Sequence, residues 1–249
     1  VAGQKIISFD ANVGIANAYK HYDLLSPYEY ASAYNEWYPG NGFTQEQLDA
    51  YKSGEKGINW IDEMFHTGII QNYKLAISNG SEKTQYYVSA NYMNEEGIIK
   101  YTENERYSAR ANVTSQVVDW LKISTDIQFN HSVKTGASSF IASKVNPIYN
   151  TLTFDPTIDM FTPDGKYNTT PRSTATNPLG AIEATDNEAR TYAATGNMSL
   201  QFNIVKGLTF TTTNAFDYHN VKSYSFSSAK SSPTAKSSMG NSDAFRMML

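Results

Sequence analysis

The sequence predicts an all-β fold, in which about seven antiparallel up-and-down strands form part of a transmembrane β-barrel, with helices in the first long external loop. Three observations predict it. Apolar and polar residues alternate with a period of two over runs near ten residues, whereas strands of soluble proteins usually run about 5–6. Connections alternate between tight and long, which gathers short turns at one end of the sheet and long loops at the other. Aromatic residues collect near the two ends of the runs, the depth an amphipathic ring prefers at a water–lipid boundary.

The strands are read in order. Ile7, Phe9, Ala11, Val13 and Ile15 share one face of the first. Tyr73, Leu75 and Ile77 mark the second; Tyr86, Val88, Ala90 and Tyr92 the third; Tyr107, Ala109, Ala111 and Val113 the fourth. In the fifth, Leu121, Ile123, Thr125, Ile127 and Phe129 oppose Lys122, Ser124, Asp126, Gln128 and Asn130. The sixth aligns Tyr192, Ala194, Met198, Leu200, Phe202 and Ile204, and the seventh carries Leu208, Phe210, Phe216 and Tyr218. Tight links fall at 79–83, 118–120 and 205–207; long ones run from Ala16 to Ile70, Asn94 to Arg106 and His131 to Arg190. With the tight turns inside the cell envelope, Tyr73, Tyr92, Tyr107, Tyr192 and Tyr218 fall near the outer strand ends and Tyr86, Trp120 and Phe202 near the inner ends. The opposite faces place Lys74, Gln85, Asn91, Arg110, Asn112, Asp126, Gln128 and Asn203 toward a wet lumen.

The loops carry their own signals. Ser26-Pro27-Tyr28-Glu29 is a capping box with proline at the first helical position, predicting a helix to about Trp37. Thr44-Gln45-Glu46-Gln47 opens a second helix that Gly54 should close. Pro147, Pro156, Pro163, Pro171 and Pro178 punctuate the third long loop, and the stretch from Ser223 to Ser242 reads as a further exposed loop. Alternation alone fits a soluble surface β-sandwich that binds carbohydrate equally well; strand length and loop asymmetry favour the barrel.

Composition narrows the function. A net charge of -4 without any basic run excludes a nucleic-acid surface, which needs clustered Lys and Arg. The absence of cysteine removes disulfides, thiolate nucleophiles and zinc–thiolate sites. No Gly-x-Ser-x-Gly, His-Glu-x-x-His or phosphate-loop spacing occurs, so the chain is not expected to be an enzyme or to hold a cofactor. Gly40-Asn41-Gly42 lacks the third glycine and preceding strand of a dinucleotide site and reads as loop geometry. His21, His66, His131 and His219 have no ligand spacing, and no metal site is expected. Asp62 and Glu63 read as solvated or capping residues rather than an acid–base pair.

The run from Ile77 to Ser89 (ISNGSEKTQYYVS), then Tyr92 to Lys100 (YMNEEGIIK), then Glu105-Arg106-Tyr107, resembles the early-barrel signature of SusC/RagA-type TonB-dependent transporters. Asp119-Trp120-Leu121-Lys122, Trp60 with Asp62, and Thr67-Gly68 fit the same pattern, while Asn79-Gly80-Ser81 departs mildly from the family's usual Gly-Gly. The resemblance implies a bacterial outer-membrane importer of oligosaccharides, or peptides in some branches, with a plug inside a 22-stranded barrel. It implies a SusD-like surface lipoprotein as partner, and TonB as the driver through a part of the protein outside this sequence. Residues 1–249 are then expected to be the N-terminal part of the barrel, without plug or remaining strands. For substrate, loop aromatics that stack on ring faces are the sensible candidates: Trp37, Tyr38, Tyr149, Phe161 and Tyr167. Trp60 and Trp120 are expected to be structural.

Overall fold

A computed structural model describes residues 5–20, 22–136, 146–170, 172, 175–231 and 236–248; His21 and Pro171 lie outside them. Eight strands form one antiparallel sheet in sequence order: β1 (Ile6–Ala16), β2 (Gly68–Gly80), β3 (Thr84–Glu96), β4 (Glu103–Val118), β5 (Leu121–Thr135), β6 (Thr185–Val205), β7 (Leu208–Ser227) and β8 (Ser238–Met248). The sheet is open, with β1 and β8 at its edges.

The expectation of about seven strands near ten residues is corrected in both respects: among the described residues there are eight, of 11 to 21 residues. The loop expected from Ser223 to Ser242 shrinks to 228–237, because β7 continues to Ser227 and β8 begins at Ser238. The second long link also shrinks, to 97–102, closed by Gly97 N–H donating to the Thr102 carbonyl at 2.8 Å. The three tight turns stand where expected, at 81–83, 119–120 and 206–207.

Register explains the two faces. One paired row reads Phe9, Leu75, Ala90, Ala109, Phe129, Ala194, Tyr218, Met247, and the row two residues inward reads Ile7, Ile77, Val88, Ala111, Ile127, Gly196, Phe216. The row two residues outward carries Tyr73, Tyr92, Tyr107, His131 and Tyr192, whose ring centroids follow one another at 6.4, 5.0, 6.3 and 4.4 Å, stacked except for the tilted Tyr92–Tyr107 pair. Tyr218 sits one row below this belt, paired with Ala194. At the other end Trp120 stacks on Phe202 at 6.2 Å, and Phe202 lies 6.1 Å from Phe210.

Ten residues separate Tyr192 from Phe202, about 33 Å along the strand and about 25 Å in height at a tilt near 40°, the height of a barrel's apolar band. The opposite face is polar and internally paired: Arg110 Nη2 reaches Asp126 at 2.6 Å and Arg246 reaches Asp217 at 3.2 Å. No second sheet covers either face among the described residues, which removes the sandwich alternative.

Candidate functional site

The buried core lies off the sheet, in a cap built from the long loops. In the first loop, α1 (Pro27–Trp37) and α2 (Gln45–Ser53) open on complete capping boxes at Ser26 and Thr44, and α2 ends at Gly54 with φ +78, as their sequences require. A short α3 (Trp60–Met64) follows, and the third loop adds α4 (Pro147–Thr153), capped by Asn146, which accepts from Ile148 N at 2.8 Å. The sequence places Asp62 and Glu63 on a loop helix but sets neither the bounds of α3 nor the existence of α4, since both are too short to show a helical period. Trp60, Met64, Phe154, Tyr167, Leu179 and Ile182 form the cap's core. The Trp60 ring meets Phe154 edge-on at 5.1 Å, and its indole N–H donates to the Asp155 carbonyl at 3.2 Å.

A buried ion pair within the third loop reaches the first loop through its arginine. Asp155 is inaccessible to solvent; its Oδ1 accepts from Thr157 N (2.8 Å) and Oγ1 (2.6 Å), and its Oδ2 accepts from Thr170 Oγ1 (3.2 Å) and from Arg172. The Arg172 guanidinium lies over Phe43 (4.6 Å) and Tyr34 (5.2 Å), so a third-loop cation is held against first-loop rings. Burial, with the Asp155 charge adding to it, pushes the nearby Tyr30 hydroxyl up to about 12. Two more bonds join the same loops: Ile58 N–H to the Pro156 carbonyl (2.9 Å) and Tyr51 Oη to the Thr157 carbonyl (3.3 Å). The β3–β4 and β7–β8 links are tied in through Lys100 N–H to the Met64 carbonyl and Tyr167 N–H to the Lys230 carbonyl, both 3.0 Å. Asp155 and Arg172 escaped the sequence reading; the signal for Asp155 was the Asp155-Pro156-Thr157 turn, while its arginine partner had none.

The sequence candidates do not converge on one point. Trp37 is 80% exposed at the end of α1, and Tyr38 beside it is 55% exposed with its ring 4.8 Å from Tyr34. Tyr149 on α4 and Phe161 are partly exposed. Tyr167 is buried, its hydroxyl donating to Glu183 and its pKa pushed up by burial and that carboxylate, which places its ring in the cap core. Trp60 is buried and Trp120 stacked, both structural positions. Asp62 Oδ2 accepts from Asn59 at 2.7 Å, and Glu63 lies 3.6 Å from Lys100 Nζ. An open cleft of about 680 Å³, which the sequence did not suggest, runs between the 22–27 segment, α3 and the end of α4; Tyr22, Leu24 and Leu25 border it with exposed apolar surface.

No family model matches the chain. Among curated proteins it is 29% identical over 207 residues to TonB-dependent receptor P3 of Formosa agariphila, covering 80% of this chain and 20% of the relative. It is 26% identical over 215 residues to the TonB-dependent receptor SusC of Bacteroides thetaiotaomicron, covering 79% and 21%. The chain therefore spans about a fifth of the length of the curated relatives it matches. These relatives are named as receptors, and none as an enzyme. In fold it superposes on a chain of the RagAB peptide importer in its closed-closed state with a TM-score of 0.71 at 20% identity, over 91% of this chain and 29% of that one. The open-open state matches with a TM-score of 0.70, also at 20% identity and with the same coverage. Sequence likeness over most of the chain, with the two-faced sheet and its aromatic belts, makes it similar to a segment of the SusC/RagA-type TonB-dependent receptors, whose β-barrels reside in the bacterial outer membrane.

Proposed function

We propose that this segment belongs to an importer that carries oligosaccharides across the outer membrane, powered by TonB through a part of the protein outside this sequence. A SusD-like surface lipoprotein is its partner over the cap. The observation that carries the reading is the sheet's division into an apolar face bounded by two aromatic belts and a polar face lined by Lys74, Asn91, Arg110 and Asp126. One face suits lipid; the other suits a wet passage. Trp37 and Tyr38, exposed at the end of α1, supply ring faces of the kind on which sugars stack.

Peptide import through the same architecture is the second reading, favoured by the likeness in fold to the RagAB peptide importer. The test is calorimetric binding of oligosaccharides and of short peptides to the full-length receptor with its lipoprotein. Oligosaccharide binding that weakens about five- to ten-fold (~1–1.4 kcal/mol) in Trp37→Ala or Tyr38→Ala supports the proposal. Peptide binding without oligosaccharide binding transfers the function to the second reading, and wild-type affinity in both variants removes these rings from the site.

A further inference from the structure

The outer rim of the sheet's lipid-facing side is divided by charge. One residue row beyond the tyrosine belt, β2 to β4 present Gln71, Asn94 and Glu105, and the next row adds Glu96 and Glu103. In the first of these rows β6 and β7 present Arg190 directly opposite Lys222. The other cations of the described strands, Lys74, Arg106, Arg110, Lys122, Lys134 and Arg246, have the opposite parity and face the lumen. Two like charges directly opposite each other destabilise a sheet, so a pair placed where no other outward cation occurs calls for an anion between them. The protein supplies part of one: Arg190 Nε lies 2.5 Å from Glu188 Oε1. Lys222 is exposed and makes no ion pair among the described residues, while Asp243, opposite it on β8, accepts from Asn220 Nδ2 at 2.6 Å.

Depth orders the groups. Tyr192 and Tyr218 belong to the apolar band, Arg190 and Lys222 stand just beyond it, Glu188 lies two residues farther out and Asp186 two beyond that. An open groove of about 710 Å³ runs over both cations and both carboxylates. With the long loops outside the cell, this groove opens on the outer leaflet of the outer membrane, where the lipid is a multiply acylated, phosphorylated sugar.

We propose that the groove seats that glycolipid through a phosphate on its sugar. The phosphate sits between Arg190 and Lys222, accepts a charge-assisted hydrogen bond from each and turns their repulsion into two attractions. The acyl chains descend from the same sugar over Tyr192 and Tyr218. Glu188 and Asp186, which can only accept, take hydroxyl protons from the saccharide that extends outward, and their charge excludes a second phosphate there. Chains, phosphate and sugar hydroxyls follow one another in the ligand as apolar band, cations and carboxylates do along β6. The site depends on the orientation of the barrel in the membrane and not on what the receptor transports.

The test is native mass spectrometry of the full-length receptor, stripped of lipid in detergent and then offered monophosphoryl lipid A or the same glycolipid without its phosphate, each with and without excess inorganic phosphate. The expected result is at least a five-fold preference for the phosphorylated glycolipid that inorganic phosphate does not abolish. It is lost in Arg190→Gln/Lys222→Gln and restored in Arg190→Lys/Lys222→Arg. Lys222→Ala, at an exposed position, supplies the same reading if the double variant does not fold. Lys134→Gln removes a cation one residue farther out but on the lumen face, and keeps the preference. Equal retention of the two glycolipids, an equal preference in wild type and double variant, or an equal loss in Lys134→Gln overturns the proposal; displacement by inorganic phosphate reduces the groove to a free-phosphate site and overturns it as well. Transport-substrate affinity stays at the wild-type level in these variants, so failure of the import reading and failure of the glycolipid site are seen in separate measurements.

Discussion

Arg172 stands where three interactions meet: a carboxylate with no solvent access and two aromatic faces from another loop. Removing one partner of a buried pair costs about 3–5 kcal/mol, because the other charge stays behind unpaired. The arginine side chain keeps 23% exposure, so Asp155→Ala is expected near the lower end, ~3 kcal/mol, read as lost hydrogen-exchange protection across 146–184 and α1. Unchanged protection there would show that the ion pair does not hold the loops together. Arg172→Lys is no conservative replacement, since an ammonium offers neither the planar fork nor the flat face that lies over Phe43. Tyr30 adds a pH dependence. Its folded pKa, about 12, lies above the ordinary value of 10.0, so the stability it contributes is complete below pH 10 and is lost as pH rises through about 12. Tyr30→Phe is expected to flatten the fall in thermal midpoint over that window; an equally steep fall in the variant would assign it to other groups.

At the scale of the strand, parity decides the outcome of a substitution. Ile127 and Gln128 are adjacent, yet Ile127 shares its row with Ile77, Val88 and Phe216, while Gln128 shares its row with Arg110. Ile127→Arg places a charge near the middle of the apolar band at a cost of roughly 2–4 kcal/mol, and outer-membrane assembly of the full receptor should fall accordingly. Gln128→Arg should assemble normally; reversed results would invert the assignment of the faces. Parity also explains why β8 was missed. Its outward positions read Met239, Asn241, Asp243, Phe245 and Met247, and the two polar residues stand where the strand rises above the belt, so the alternation is broken by depth rather than by a loop. Another local feature hidden from periodicity is Gly136, at φ +97, where a Cβ would approach the Tyr101 carbonyl oxygen to 2.5 Å.

For the molecule as a whole, the sheet supplies two faces and the cap supplies the interior. A single-layer sheet buries its apolar face against lipid, so its large outward residues are exposed here: Phe9 at 66% and Val13 at 69%. The cap behaves otherwise. Links from four long connections are cross-bonded around Trp60, Met64, Phe154 and Ile182, which makes it one packed body on the sheet's outer end and not a set of independent loops. Trp37 and Tyr38 project from that body and are the most exposed of the five loop aromatics, whereas Tyr167 belongs to its core.

Period-two alternation, turn chemistry and two capping boxes were enough to place seven of the strands, three hairpin turns, α1 and α2, because each depends on residues within a few positions of one another. The girdles followed from the same pattern, since ring depth depends only on position along a strand. Tertiary structure alone decided the rest. It paired Asp155 with Arg172 beneath Tyr34 and Phe43, buried Tyr167 while leaving Trp37 in solvent, and set Arg190 opposite Lys222. Each of these arises when segments distant in sequence meet, through loop packing or strand register, and no local pattern encodes which residue will face which.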